Sequence, residues 1–208
     1  SMLDSYYQTY VGHRLSQMAG RDADISYDVS PEYDDLRCLF EICKAKNIQA
    51  LFVHVPVNGK WSDYTGLSQS TRQTYYETVR EIAAQYDNVT MLDLTQEELR
   101  PLCGAYFEER ESLLREGRTD HPRFDRAHRL AEAELVVVAA PFWDMSFPAL
   151  LKLYIENVSV EGITFRSTAE GLRGLCRAER CVFLTSRGGA YPDGDPMEQA
   201  VPYLRAIQ

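Results

Sequence analysis

Two stretches in the second half of the chain carry continuous apolar residues that stop abruptly at a loop. The first covers residues 135–140 and runs into an aromatic loop bracketed by Pro141 and Pro148. The second covers residues 181–185 and runs into the glycine-rich segment 186–189. Uninterrupted apolar runs of this length predict strands buried on both faces, as in parallel sheets. Ligands of such sheets bind beyond the carboxyl ends of the strands, so these two loops are the first candidate site, and Phe142, Trp143 and Met145 suit a flat ligand.

Strands and helices alternate along the rest of the chain. Ser30 and Pro31 have the pattern of a helix cap and first turn, and Ser70–Gln73 has the capping-box pattern. Further strands are predicted at residues 51–56 and 89–94, a further helix from Pro148, and long loops at 57–69 and 162–174. This alternation predicts an α/β fold with a mostly parallel sheet and right-handed crossovers.

Composition and charge narrow the function classes. The 208 residues suffice for one α/β domain or two small ones, and the apolar content of 45% and charged content of 25% are ordinary for a globular protein. The net charge of −9 excludes a basic stripe able to displace counterions from nucleic acid, so no nucleic-acid partner is expected. No apolar run approaches the roughly 20 residues that span a bilayer, so no membrane-spanning segment is expected.

The five cysteines are odd in number and scattered, and none forms a C-x-x-C pair. A zinc knuckle and a thioredoxin-type redox site are therefore not supported, and no metal site is predicted. Cys38 and Cys43 fall in a helix pattern and Cys181 in a strand, which predicts buried free thiols. Free thiols fit a reducing compartment.

Residues from about 88 to 208 resemble the FMN-dependent NAD(P)H azoreductases and related quinone reductases. Four segments carry the resemblance, in the family's order: Glu134–Pro148, Gly162–Leu172, Thr185–Gly189 and Pro202–Leu204. The resemblance implies a flavodoxin-like three-layer sandwich, FMN as cofactor, NADH or NADPH as co-substrate and a small-molecule electron acceptor. The family's pattern adds roughly one more strand and helix after the position of Gln208, so the sheet is expected to be incomplete at that end.

The same resemblance implies which residues contact the cofactor. The aromatic loop would lie along the isoalloxazine ring, and the glycine-rich segment would meet the pyrimidine edge through backbone amides. The implied residues are Phe142, Trp143, Asp144, Met145, Ser186, Arg187, Gly188 and Gly189. Asp144 departs from the asparagine that many members carry, which puts the redox potential in question. No side chain is assigned a catalytic role, and the simpler alternative is a strand–helix turn with core aromatics.

Residues from about 5 to 95 resemble the carboxy-terminal part of DltD, the D-alanine transfer protein of lipoteichoic-acid modification. The matching segments are Tyr7–Gly12, Ser30–Tyr33, Pro56–Trp61 and Asp63–Leu67. The family resembles serine hydrolases, but this half shows no nucleophile paired with a base. His54 lies in an apolar strand, which favours a buried structural histidine over a general base.

One gap in the azoreductase-like pattern is the FMN phosphate loop, which that family places after its first strand. Ser68, Ser70 and Thr71 stand at the corresponding helix start and offer hydroxyls and free amides to an anion. Ordinary helix capping is the favoured interpretation of these three residues.

We interpret the chain as a fusion or chimera of a DltD-like fragment, residues 1–90, and an azoreductase-like fragment, residues 91–208, with one merged domain as the alternative. The preferred function is FMN-dependent reduction of azo compounds or quinones with NAD(P)H. The alternatives are a DltD-type role in D-alanyl-lipoteichoic acid synthesis and a non-catalytic chimeric scaffold. The azoreductase resemblance further implies a homodimer. The free thiols favour a cytoplasmic location; a cell-surface location is the alternative if the DltD-like half determines targeting.

Overall fold

The chain forms two compact units. The first comprises Ser1–Glu41 and Val57–Gln85, and the second comprises Ile42–Pro56 and Tyr86–Gln208. The computed structural model describes residues 12–192 and 194–207, with only the backbone at His13 and Arg14. Most of the predicted amino-terminal arm and of the Tyr7–Gly12 segment therefore lies outside the described residues.

Four helices account for the regular structure described in the first unit: α1 (Gly12–Met18), α2 (Pro31–Ala45), whose last residues belong to the second unit, α3 (Gly59–Thr65) and α4 (Gln69–Ala83). Helix α2 begins as predicted, with Pro31 at its first position and acidic residues in its first turn.

The prediction of a long loop at residues 57–69 is wrong, because α3 lies within it. Asn58 caps this helix by accepting a hydrogen bond from Trp61 N at 3.1 Å, and the helix ends at Gly66, whose φ of 90° favours glycine. The predicted start of the next helix is also shifted. Ser68 rather than Ser70 caps α4, and Ser68 Oγ accepts a hydrogen bond from Thr71 N at 3.0 Å.

The second unit contains the sheet. In chain order its elements are β1 (Ala50–His54), β2 (Val89–Asp93), α5 (Gly104–Arg115), a 3-10 turn (Pro122–Phe124), α6 (Asp125–Glu132), β3 (Leu135–Ala139), α7 (Ala149–Val158), β4 (Phe165–Thr168), β5 (Gly171–Gly174), β6 (Arg180–Leu184) and α8 (Ala200–Ala206). Strands β2, β1, β3 and β6 pair in that order, and all three pairings are parallel. This order is that of the first four strands of a flavodoxin-like sheet, which confirms the predicted fold class.

The core explains why these strands could be predicted from apolar runs. On one face, Leu51, Val53, Val136 and Val138 pack in a cluster with helical residues that include Phe124, Leu113, Ala127, Leu151, Tyr154 and Val158. On the other face, Phe52 and Val137 are also buried. A strand buried on both faces has no polar alternation, which is the pattern that the sequence showed.

Two further predictions need correction. The predicted loop at 162–174 contains an antiparallel hairpin formed by β4 and β5. The burial predicted for three cysteines holds only for Cys43, because Cys38 is exposed and Cys181 is half-buried; all five cysteines are free thiols.

Among residues 12–192 and 194–207, none of the helices is both long and apolar enough to cross a membrane. Within the same residues, no group of three or more His, Cys, Asp or Glu side chains is arranged to hold a metal ion.

Candidate functional site

Two loops leave the carboxyl ends of neighbouring parallel strands in the second unit. The aromatic loop, residues 140–148, follows β3, and the glycine loop, residues 185–199, follows β6. Their first residues are tied together: Ala140 N donates to Leu184 O at 3.0 Å, and Phe142 N donates to Ser186 O at 3.1 Å. The structure thus places all eight predicted site residues in two adjacent, hydrogen-bonded loops at the edge where parallel sheets bind ligands.

The aromatic loop contains a tight turn with unfavourable backbone geometry. Trp143 and Ser146 exchange two backbone hydrogen bonds of 2.9 and 2.8 Å across Asp144 and Met145. Both central residues have positive φ, 48° at Asp144 and 66° at Met145, as in a type I′ turn. Such turns favour Asn-Gly at these positions, so a methionine in the second one stores strain. Met145 O also accepts a hydrogen bond from Gln199 N at 2.8 Å, which ties this turn to the glycine loop.

We expect Met145→Gly to raise the free energy of unfolding of the second unit by about 0.5–1 kcal/mol. Glycine removes the left-handed strain, and the gain exceeds the cost of its extra chain entropy. Thermal unfolding of the chain without added cofactor measures the effect. The matched control is Met197→Gly, because Met197 is similarly exposed (48% against 44%) but has no positive φ. The control should be neutral or destabilising, and equal shifts in both variants would contradict the strain.

A charged and aromatic cluster is formed by residues of the two loops. The Arg187 guanidinium carbon lies 5.1 Å from the ring centre of Phe142 and 5.9 Å from that of Tyr191, and the two rings are 5.1 Å apart. Arg187 Nη2 also pairs with Glu198 Oε1 at 3.4 Å. Glu198 is buried, and its carboxylate accepts a hydrogen bond from Val201 N at the start of α8. We call these four residues, Phe142, Arg187, Tyr191 and Glu198, the Arg187 cluster.

The sequence did not assign Tyr191 or Glu198 to the cofactor site. Glu198 carried one usable signal, because it lies two residues before α8, where a carboxylate can accept free backbone amides. Nothing in the sequence indicated that the same carboxylate would pair with Arg187.

Two observations bear on whether the glycine loop fits a flavin ring. A Cβ added at Gly188 or Gly189 would meet no atom within 4 Å in the described structure, so the backbone there is open to a ligand. Thr185 Oγ1 is buried and has no hydrogen-bond partner among the described residues. Buried polar atoms are rarely left in that state, and a ligand with a polar edge would satisfy this one. The residues present therefore fit a flat ring with polar edges.

An open cavity of about 560 Å³ adjoins the aromatic loop. Its lining residues are Ser146, Phe147, Lys152, Gln199, Pro202 and Tyr203. Lys152 Nζ donates to Tyr203 Oη at 2.6 Å, and this hydrogen bond raises the pKa of the Lys152 ammonium. The cavity offers an apolar wall and a fixed positive charge beside the turn at Asp144 and Met145.

Two candidates lie in the part of the chain that resembles DltD: His54 as a general base, and the hydroxyls of Ser68, Ser70 and Thr71 as an anion site for the FMN phosphate. His54 is the last residue of β1, 2% exposed, and its Nδ1 lies 4.0 Å from Asp93 Oδ1. Asp93 Oδ1 accepts hydrogen bonds from both the amide and the hydroxyl of Thr95. In the first unit, Ser68 Oγ lies 2.8 Å from both Ser70 Oγ and Thr71 Oγ1 within its cap. Buried packing at His54 and capping at Ser68 are the roles that the sequence favoured.

Comparisons with known families divide the chain much as its motifs did. The family described as Flavodoxin-like fold matches residues 62–208, and the family described as DltD protein matches residues 1–103, slightly less than half of the chain. The two matches overlap at residues 62–103, a range that includes α4 and β2.

Two clostridial enzymes are among the proteins that are similar to this chain in sequence. An FMN-dependent NADH:quinone oxidoreductase 2 of Clostridium acetobutylicum is 42% identical over 58% of this chain and 61% of its own length. An FMN-dependent NADH:quinone oxidoreductase of Clostridium perfringens is 51% identical over 39% of this chain and 40% of its own. This chain thus spans about three-fifths or less of these relatives.

The fold comparison agrees with the sequence comparisons. The crystal structure of an azoreductase from Bacillus anthracis is 26% identical in sequence and superposes with a TM-score of 0.54. The match covers 76% of this chain and 78% of the azoreductase chain. The parallel strand order, the two loops beyond β3 and β6, and the match over residues 62–208 lead to one conclusion. The chain belongs to the family of proteins with the flavodoxin-like fold.

Proposed function

We propose that this chain is an FMN-dependent oxidoreductase that reduces quinones or azo compounds with NADH or NADPH. The observation that carries the proposal is the hydrogen-bonded pair of loops beyond β3 and β6, with open glycine backbone and a buried, unpartnered Thr185 hydroxyl. The names of the clostridial relatives and of the Bacillus anthracis azoreductase support the same cofactor and reaction class.

The proposed roles follow from where the loops place each residue. Phe142 and Trp143 are half-buried and supply apolar stacking area, while Met145 is exposed on the turn beside them. The backbone amides of the segment Ser186–Gly189 would donate to the polar edge of the ring. Asp144 is exposed, so its carboxylate is well solvated and its effect on the ring is weakened by water. When bound, FMN would take a hydride from the nicotinamide and pass two electrons to the acceptor.

Titration of the purified chain with FMN tests the proposal. We expect quenching of flavin fluorescence, a higher unfolding temperature at saturating FMN, and NADH-dependent reduction of a quinone or azo dye by the loaded protein. FMN is also expected to protect the glycine loop from hydrogen exchange. Absence of both quenching and stabilisation would show that the chain does not hold the cofactor.

A second function is supported by the match of the DltD protein family to residues 1–103. A DltD-type role requires a nucleophile activated by a general base, and the buried His54 at the end of β1 is the histidine to test as that base. Esterase activity that is present in the purified chain and lost in His54→Ala, together with no FMN binding, would favour this second function over the first.

We further propose that the protein is a homodimer in the cytoplasm. Leu184, Met145 and Met197 are exposed apolar residues on β6 and the two loops, and such residues near a site favour a second copy as partner. The five free thiols fit the reducing environment of the cytoplasm. Sedimentation across micromolar concentrations should give twice the chain mass; a single-chain mass throughout that range would contradict the dimer.

A further inference from the structure

We propose that Arg187 and Glu198 form a charge pair that sets the reduction potential of the bound FMN, with Arg187 on the cofactor side and Glu198 as the positioning residue behind it. This inference rests on the proposed function, because it needs FMN at the glycine loop.

Arg187 is held from three directions. Phe142 and Tyr191 offer their ring faces to the guanidinium, at 5.1 and 5.9 Å from its central carbon. Glu198 Oε1 accepts from Nη2 at 3.4 Å. A planar guanidinium stacked on aromatic rings and paired with a carboxylate loses little freedom when a ligand arrives, so its charge is already in place.

Glu198 is itself fixed by the backbone. Both carboxylate oxygens accept from Val201 N, at 3.2 and 3.3 Å, so α8 anchors the carboxylate at its first turn. The Glu198 side chain is 9% exposed and the Arg187 side chain 20%. The positive member of the pair therefore lies nearer to the open side, and the negative member lies deeper.

The distance of each charge from the flavin ring determines whether the pair raises or lowers the reduction potential. FMN gains negative charge on reduction, and a nearby positive charge stabilises that form. Arg187 directly precedes Gly188, where the backbone is open to a ligand, whereas the Glu198 side chain is buried. Because Coulomb energy falls with distance, Arg187 outweighs Glu198 at the ring, and the pair as a whole raises the reduction potential.

The experiment uses charge-neutralising variants of each partner in the FMN-loaded chain. The midpoint potential is measured by anaerobic titration against a reference dye, and the affinity for oxidised FMN by fluorescence quenching. Arg187→Gln should favour oxidised over reduced FMN by about tenfold, which lowers the two-electron potential by about 30 mV. Glu198→Gln should shift the potential in the opposite direction, because it leaves Arg187 unbalanced.

Opposite signs separate electrostatic tuning from mere structural support, since damage to the loops would shift both variants the same way. The double variant should lie closer to the unmodified chain than Arg187→Gln does. Arg187→Lys keeps the charge and should keep most of the potential. Arg126 and Glu97 form an ion pair, 2.5 Å between nitrogen and oxygen, and neither residue belongs to the two loops. Arg126→Gln is therefore the matched control and should leave the potential unchanged.

Shifts of the same sign in both single variants, or no shift in either, overturn the inference while leaving the proposed function in place. If the unmodified chain does not bind FMN, the proposed function fails and the inference falls with it. If Arg187→Gln does not fold, Glu198→Gln decides alone, because its amide oxygen can still accept from Val201 N, and any result other than a raised potential overturns the inference.

Discussion

Gly188→Val should leave the chain folded but weaken FMN binding by about a hundredfold, or about 2.7 kcal/mol. The structure supplies both parts of this expectation. The φ of Gly188 is not in the left-handed region, and an added Cβ would meet no described atom within 4 Å, so a side chain can be attached there without a clash at its Cβ. The same open space is where the backbone must approach the ring, and a β-branched side chain would fill it.

The measurement is an FMN titration together with thermal unfolding of the cofactor-free chain. Gly174→Val is the matched control, because Gly174 also has open space around its Cβ position but lies in β5, outside both loops. We expect the two variants to unfold at similar temperatures and to differ only in FMN affinity. Equal FMN affinity in both variants would show that Gly188 does not face the cofactor.

Phe124→Ala should lower the free energy of unfolding of the second unit by about 3–5 kcal/mol. Phe124 is 2% exposed and belongs to the apolar cluster on one face of the sheet. Removal of its ring therefore leaves a cavity among packed apolar neighbours. Phe107→Ala is the control, since Phe107 on α5 is 43% exposed and its loss should cost under 1 kcal/mol.

Urea unfolding followed by the fluorescence of Trp143 measures this difference. A Trp61→Phe background makes the signal specific for the second unit, since Trp61 belongs to the first. Equal midpoints for the two phenylalanine variants would mean that the cluster around Phe124 is not the core that holds the sheet.

The bounds of the strands in the sheet were predictable to within two residues because buried strands have uninterrupted apolar sequences. β1 and β3 are apolar at almost every position, and only a strand covered on both faces tolerates that composition. The hairpin had no such signal, since every residue of β5 is exposed. Helix α3 is only seven residues long and carries no apolar stripe, so its cap at Asn58 was the one available indication.

The candidate site was predictable in place but not in detail. Loops that follow neighbouring parallel strands must lie at one edge of the sheet, which brought Phe142 and Ser186 together as expected. The contact of Arg187 with Glu198, eleven positions further along the chain, depends on the path of the loop between them, which no periodicity in the sequence predicts. The left-handed backbone at Met145 was also hidden, because methionine is a residue that turn rules would not choose there.

Strand β1 has a consequence for how this chain can have arisen. It lies in the middle of the sheet, paired over five residues with β2 on one side and with β3 on the other. Residues 50–54 lie in the range that the DltD protein family alone matches, whereas β3 and β6 lie in the range that the Flavodoxin-like fold family alone matches. The two matched ranges therefore meet along backbone hydrogen bonds inside one sheet rather than across a linker. Exchange of either portion would be tolerated only if the incoming strand kept the five-residue register with its neighbours, so the two portions are not interchangeable modules.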